Sequence, residues 1–232
     1  MVIVPYSDRL VLMSRYLQQL VMESIGKEFD LDGNPVYQGL NVFGNKGGTD
    51  AHAFIQQLND GRNDFFVTFI EIMKDPMNVK ISDKASMSDY LHGFQAGLSS
   101  ALRGKERQVI EMSLREVDEF NVGMLIALYE RAVATYAELV NVNAFHQPGV
   151  QSYKLASKTI IDMIDVLQDK LPTAKGFSGT AEELAVKIDM VEDEIAMEGI
   201  IAKFAENNEI RSFDSFSVSR NWNDSEWIYE VK

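Results

Sequence analysis

The sequence contains no cysteine. It can form no disulfide framework and has no thiolate to act as nucleophile or metal ligand, which suits a reducing compartment. Histidine is scarce too: only His52, His92 and His146 occur, and they lack zinc-ligand spacing. Five prolines and 15 glycines in 232 residues exclude collagen-like and low-complexity chains. Positive charge is in deficit, with 22 Lys and Arg against 35 Asp and Glu and a net charge of −13 at pH 7. That balance repels a phosphate backbone or an anionic bilayer, so neither nucleic acid nor a membrane is expected as partner. No apolar run approaches the ~20 residues that span a bilayer, and the amino terminus lacks the basic-then-apolar pattern of a secretion signal. A cytoplasmic protein is expected.

What is present is ordinary globular composition, 46% hydrophobic and 25% charged, with enough chain for a sizeable core. Charge is unevenly spread: residues 178–232 carry −8 and residues 1–177 carry −5. The change coincides with Pro172, Gly176, Ser178 and Gly179, the punctuation of a linker. We therefore expect a larger lobe over 1–175 and a small acidic subdomain over 176–232.

Leu10, Met13, Leu17, Leu20 and Val21 recur at helical spacing after Ser7, a potential cap, and predict a helix over 7–28. Phe65–Ile70 and Val109–Leu114 are short, rich in β-formers and bounded by turn residues, and predict strands. Helices are expected over 87–103, 121–140 and 149–168. Strands separated by helices imply an α/β fold, a mostly parallel sheet flanked by helices in three layers. The acidic tail predicts helices at 181–188 and 192–206, then a hairpin from 211–222 and 227–231, with Ile195, Ile200, Ile201 and Phe204 packed on the larger lobe. Trp222 and Trp227 are expected in the core.

Three segments could carry chemistry. Gln19 and Glu23, four residues apart, share a helix side away from the apolar stripe. An amide that orients a hydroxyl beside a carboxylate that takes a proton suits acid–base work on a polyol, although such pairs are commonest on plain solvated faces. The loop Gly44-Asn45-Lys46-Gly47-Gly48-Thr49-Asp50 lacks the Gly-Lys-Ser/Thr ending of a nucleotide loop. It leads into a helix expected over 51–58, capped by Thr49 or Asp50, with His52 in its first turn at the positive end of the dipole. Finally, Asn143 to Lys154 reads as a helix start whose freed amides could bind an anionic or hydroxyl-rich ligand, with Gln147 before it and Lys154 about one turn in. No Gly-x-Ser-x-Gly nucleophile elbow occurs.

These segments together resemble the glucose-6-phosphate isomerase family. Gln18-Gln19-Leu20-Val21-Met22-Glu23-Ser24-Ile25-Gly26-Lys27 is similar to its Gln-Gln-x-x-Met-Glu-Ser-x-Gly-Lys signature. Gly44 to Ala53 resembles its active-site histidine loop, with Gly48 where Ser is usual and Ala51 where Gln is usual. Gly123-Met124-Leu125-Ile126-Ala127-Leu128-Tyr129-Glu130 and Asn143 to Lys154 resemble two further family segments, Gln151-Ser152-Tyr153 departing from a Glu-x-Gly run. The likeness runs in order over about 5–168.

The resemblance implies a sugar-isomerase-like three-layer sandwich and the interconversion of glucose 6-phosphate and fructose 6-phosphate, a step of glycolysis and gluconeogenesis. It implies Glu23 as the base that moves a proton between C1 and C2 through a cis-enediol. It implies His52 and Lys154 in ring opening, with His52 supplied from a neighbouring subunit of a homodimer, and Gln19 and Gln147 as substrate contacts. No metal or organic cofactor is implied. The family's first lobe, with its phosphate loop, would precede Met1, so the chain is expected to be a carboxy-terminal part with little activity alone. The alternative is a non-catalytic sugar-phosphate-binding module of the same fold; the carboxylate at position 23 separates the two, because a binding module has no use for a base there.

Overall fold

The computed structural model describes residues 1–74, 77, 79–190, 194–208 and 215–232. They form two compact units, Met1–Gln147 and Pro148–Lys232. In chain order the first unit has β1 (Val2–Pro5), a 3-10 turn at Asp8–Leu10, α1 (Met13–Ile25), β2 (Lys27–Phe29), β3 (Pro35–Gln38) and a second 3-10 turn at Ala51–Ala53. It continues with α2 (Ile55–Asp60), β4 (Phe66–Ile72), α3 (Met87–Gly104), β5 (Gln108–Leu114) and α4 (Glu119–Leu139).

The sheet of this unit is parallel throughout, in the order β1-β4-β5, with Val2–Pro5 beside Val67–Ile70 and Phe66–Ile72 beside Gln108–Leu114. Side chains alternate across it, as strand geometry requires. Ile3, Ile70 and Leu114 face Leu17, Val21 and Ile25 of α1 and Leu125, Tyr129 and Val133 of α4. Val2, Val4, Val67 and Phe69 face Phe54, Leu58, Leu98 and Leu102, which come from around α2 and from α3. This is the three-layer α/β arrangement expected from strands spaced by helices. Local signals start two of the helices: Ser86 and Asp89 form a reciprocal capping box at α3, and Asp118 accepts from the Asn121 N–H at α4.

Some local expectations fail. Ser7 makes no side-chain cap; the chain first makes the 3-10 turn, and α1 begins at Met13 and stops at Ile25. The residues after it turn into the antiparallel pair β2–β3, with Lys27 opposite Gln38.

The second unit comprises α5 (Pro148–Lys170), a 3-10 turn at Leu171–Ala174, β6 (Ser178–Gly179), α6 (Ala181–Lys187), α7 (Glu194–Glu206), β7 (Val218–Asn223) and β8 (Glu226–Val231). Its sheet is antiparallel, in the order β6-β8-β7. Leu167, Leu171 and Ala174 share one core with Leu184, Met197, Ile201, Phe204 and Tyr229. The Pro172–Thr180 stretch, expected to be a linker, is thus a turn inside this unit, and the division falls before Pro148. Ile200, Ile201 and Phe204 are buried in that same core, whereas Ile195 is 88% exposed. Trp227 packs partly buried against that core, as expected, whereas Trp222 is exposed; the two rings meet edge to face at 5.3 Å, with the Arg220 guanidinium 4.2 Å from the Trp227 ring. Residues 192–193 and 211–214, included in the expected helix and hairpin, lie outside the described residues. No helix among the described residues is long and apolar enough to cross a membrane.

Candidate active site

α1 leaves the carboxyl end of β1 and runs back along it. Midway, Gln18 Nε2 donates to the Val42 carbonyl at 3.1 Å. That carbonyl lies at the level of the start of β1, where the Phe43 N–H bonds Met1 O and the Ile3 N–H bonds Phe43 O. Glu23, more than a helical turn beyond Gln18, stands past the amino edge of the sheet. It is half-buried, and its Oε2 accepts a 2.9 Å hydrogen bond from Gln147 Nε2. Its Oε1 has no hydrogen-bond partner among the described residues. Gln19, one turn earlier on α1, is exposed.

Gln147 reaches Glu23 from a short, ordered segment between α4 and α5. The Asn143 side chain accepts from the Phe145 N–H at 2.8 Å, and the His146 ring meets the Asn143 carbonyl at 3.2 Å. The left-handed Asn141 at the end of α4 ties this segment to the β2–β3 turn through Asp32, at 2.8 Å, and the Leu31 N–H.

The glycine-rich loop lies at the other edge. From Phe43 the chain follows β1 until the Gly47 N–H bonds Pro5 O at 2.8 Å. Glycine is required at two points of this close approach: a Cβ on Gly44 would lie 1.9 Å from Ile3 O, and one on Gly47 would lie 2.4 Å from the Tyr6 ring. Lys46 pairs with Asp8 of the first 3-10 turn, and this partner holds the Lys46 pKa above its usual value. Tyr6 itself is buried, which pushes its phenol up to about 12. The loop therefore sits at the carboxyl edge, the usual crevice side of a parallel sheet.

His52 follows the loop in sequence, but not in the conformation expected. It lies in the 3-10 turn Ala51–Ala53, exposed, and α2 starts only at Ile55 after Phe54 breaks the helical backbone. Thr49 bonds Asp50 instead of capping a helix. The dipole of α2 therefore does not act on His52 as a first-turn residue. One copy of the chain thus joins Glu23 and Gln147 by a hydrogen bond, and among the described residues no hydrogen bond or ion pair links His52 to either of them. Lys154 is exposed near the start of α5, in the second unit.

Two features carried no sequence signal that could be read. Lys27, only 4% exposed, donates to the carbonyls of Glu23 (2.9 Å) and Ser24 (2.8 Å). At the carboxyl edge, His92 of α3 bonds Glu71 of β4, and the carboxylate raises the His92 pKa. Only the fold brings this second pair together. Among the described residues no cluster of three or more His, Asp or Glu could hold a metal ion.

A three-layer parallel α/β domain with a carboxylate–amide pair at one edge and a glycine-bound histidine loop at the other is the class that fold and site define. Residues 1–113 match the family model described as phosphoglucose isomerase. Over 190 residues the chain is 51% identical to a glucose-6-phosphate isomerase of Geotalea daltonii, covering 81% of this chain and 36% of that one. Over 217 residues it is 46% identical to the chloroplastic glucose-6-phosphate isomerase 1 of Arabidopsis thaliana, covering 90% of this chain and 35% of that one. Among solved structures, a hypothetical protein of Thermus thermophilus superposes with a TM-score of 0.64 at 27% identity, over 69% of this chain and 40% of that chain. A Chlamydia trachomatis glucose-6-phosphate isomerase shares the fold, with a TM-score of 0.66 over 71% of this chain and 35% of that chain, at 24% identity. The chain belongs to the phosphoglucose isomerase family. It spans little more than a third of the length of these curated relatives.

Proposed function

We propose that the chain is the catalytic carboxy-terminal portion of a glucose-6-phosphate isomerase. The observation that carries this is the Gln147–Glu23 hydrogen bond, because it joins two segments, 124 residues apart, that each resemble a family signature. In this reading Glu23 Oε1 takes the proton from C2 of the open-chain aldose, giving the cis-enediolate, and returns it to C1, while the proton of the C2 hydroxyl passes to O1 and C2 becomes the ketone. Gln147 holds Oε2 and so fixes the carboxylate plane, and Gln19 meets a substrate hydroxyl from the same helix face. His52 and Lys154 serve ring opening, where a proton leaves the anomeric hydroxyl and another reaches the ring oxygen. His52 makes no hydrogen bond to Glu23 or Gln147 within one copy; in this reading it serves the Glu23 site of a second copy, and a homodimer completes both sites. No cofactor enters the scheme, and a cytoplasmic setting fits it.

The phosphate of the substrate is held by the portion of the relatives' length that this chain does not span. Binding energy from a non-reacting phosphate can supply several kcal/mol of barrier lowering. The test is turnover of fructose 6-phosphate by the chain alone and by the chain joined to the amino-terminal portion of the Geotalea daltonii relative. Little turnover alone and ~10 per second or more when joined is expected; no turnover by a folded joined protein would overturn the reading.

A further inference from the structure

Helix α1 ends in an unusual way for a helix that carries a functional side chain. Its last carbonyls need partners, and a left-handed glycine after the helix is the common solution. Here Gly26 is instead extended, with φ −65° and ψ 100°, and the chain passes straight into β2. The Gly26 N–H satisfies Met22 O at 3.0 Å, so close that a Cβ on Gly26 would stand 2.7 Å from that oxygen. The next two carbonyls, of Glu23 and Ser24, are taken by one group, the Lys27 ammonium. Among the described residues Lys27 is the one charged side chain in the buried set. Burial lowers its pKa, and no carboxylate partner stands within ion-pair distance among the described residues to offset that cost.

We infer that Lys27 is a positioning residue for Glu23: by tying the Glu23 and Ser24 carbonyls it fixes the last turn of α1, and with it the direction in which the Glu23 carboxylate meets Gln147. This rests on the role proposed for Glu23. The chemistry selects lysine over its near relatives. A compact ammonium on a flexible stem can fold back on its own helix and donate to two carbonyls at once, whereas the planar guanidinium of arginine is built for a carboxylate fork. Without those bonds the final turn is a helix end with two unpaired carbonyls at the entry to β2, and such ends fray.

The test uses the 232-residue chain, labelled with nitrogen-15, as wild type and as Lys27→Met, which keeps the apolar stem and loses the donors. The Gln147 side-chain amide resonances are the signature, assigned by their loss in Gln147→Leu, with amides of β4 and β5 as the control for folding. The expected result is that in Lys27→Met the β4 and β5 resonances persist while the Gln147 amide moves to free-amide positions and exchanges roughly tenfold faster. Unmoved Gln147 resonances in a folded Lys27→Met would show that Lys27 is structural only and overturn the inference. Should Lys27→Met not fold, Lys27→Gln, which keeps only an uncharged amide NH2 on a shorter stem, carries the same comparison. Proton exchange at C1 of fructose 6-phosphate is followed separately in the joined protein; its absence with the Gln147 signature intact counts against the role of Glu23 and not against the positioning by Lys27.

Discussion

Gln147 and Glu23 are 124 residues apart in sequence and 2.9 Å apart in the fold. The bond places an amide with no charge to lose on one oxygen of a half-buried carboxylate and leaves the other open. Gln147 is itself exposed, so its contribution to folding is small. Gln147→Leu should change the unfolding free energy of the first unit by under ~1 kcal/mol while lowering turnover of the joined protein by roughly tenfold or more. Denaturant unfolding and steady-state kinetics on one preparation check both; equal losses in both would make the bond structural.

The proposed sharing of each site between two copies, Glu23 from one and His52 from the other, predicts complementation. A dimer of Glu23→Gln and His52→Ala chains has one site lacking both groups and one site with both intact. Co-expressing the two inactive variants of the joined protein should therefore recover roughly a quarter of wild-type turnover, half of the dimers being mixed and each having one good site. No recovery from proven mixed dimers would place both groups in one copy's site.

His52 is also assigned to ring opening and not to proton transfer between carbons. His52→Ala in the joined protein should slow conversion of the cyclic sugar more than that of an open-chain analogue. Equal slowing of the two would contradict the assignment.

Tyr6 gives a pH test of the loop's foundation. Its phenol is neutral in the fold up to about 12, while in the unfolded chain it ionises near its ordinary value of 10.0. The unfolded state therefore loses the proton first, so this contribution is complete below pH 10 and disappears as pH rises through about 12. A shift of that size corresponds to stability on the order of 2–3 kcal/mol. Tyr6→Phe keeps the ring against which Gly47 packs and should flatten the fall in unfolding free energy over this alkaline range. An unchanged slope would show the hydroxyl to be hydrated.

Much of this was legible in the sequence because the helices are amphipathic and β4 and β5 sit between turn residues. The first strand was not: Val2–Pro5 is four residues buried on both faces, with no alternation and no preceding turn to mark it. The extension of the first helix to residue 28 failed because Lys27 is helix-forming in isolation and serves here as the partner of Gln38 in a hairpin. The boundary at 172–180 followed punctuation and charge, whereas the fold follows burial: Leu167 and Leu171 are fully buried with Phe204 and Tyr229. A fragment spanning 148–232 should accordingly fold on its own, and one spanning 176–232 should not, as circular dichroism and unfolding cooperativity will show. At the site, Glu23, Gln147 and the histidine loop could be picked out by pattern. Lys27 could not, since a lysine after a helix gives no sign of being buried.

The most direct measurement of the central claim is hydrogen exchange between solvent and C1 of fructose 6-phosphate, catalysed by the joined protein with Glu23 and with Glu23→Gln. The amide keeps the shape of the side chain and loses its basicity. The account predicts at least ~10²-fold slower exchange and turnover with a small change in the Michaelis constant. Exchange continuing at the wild-type rate in Glu23→Gln would show that another residue is the base.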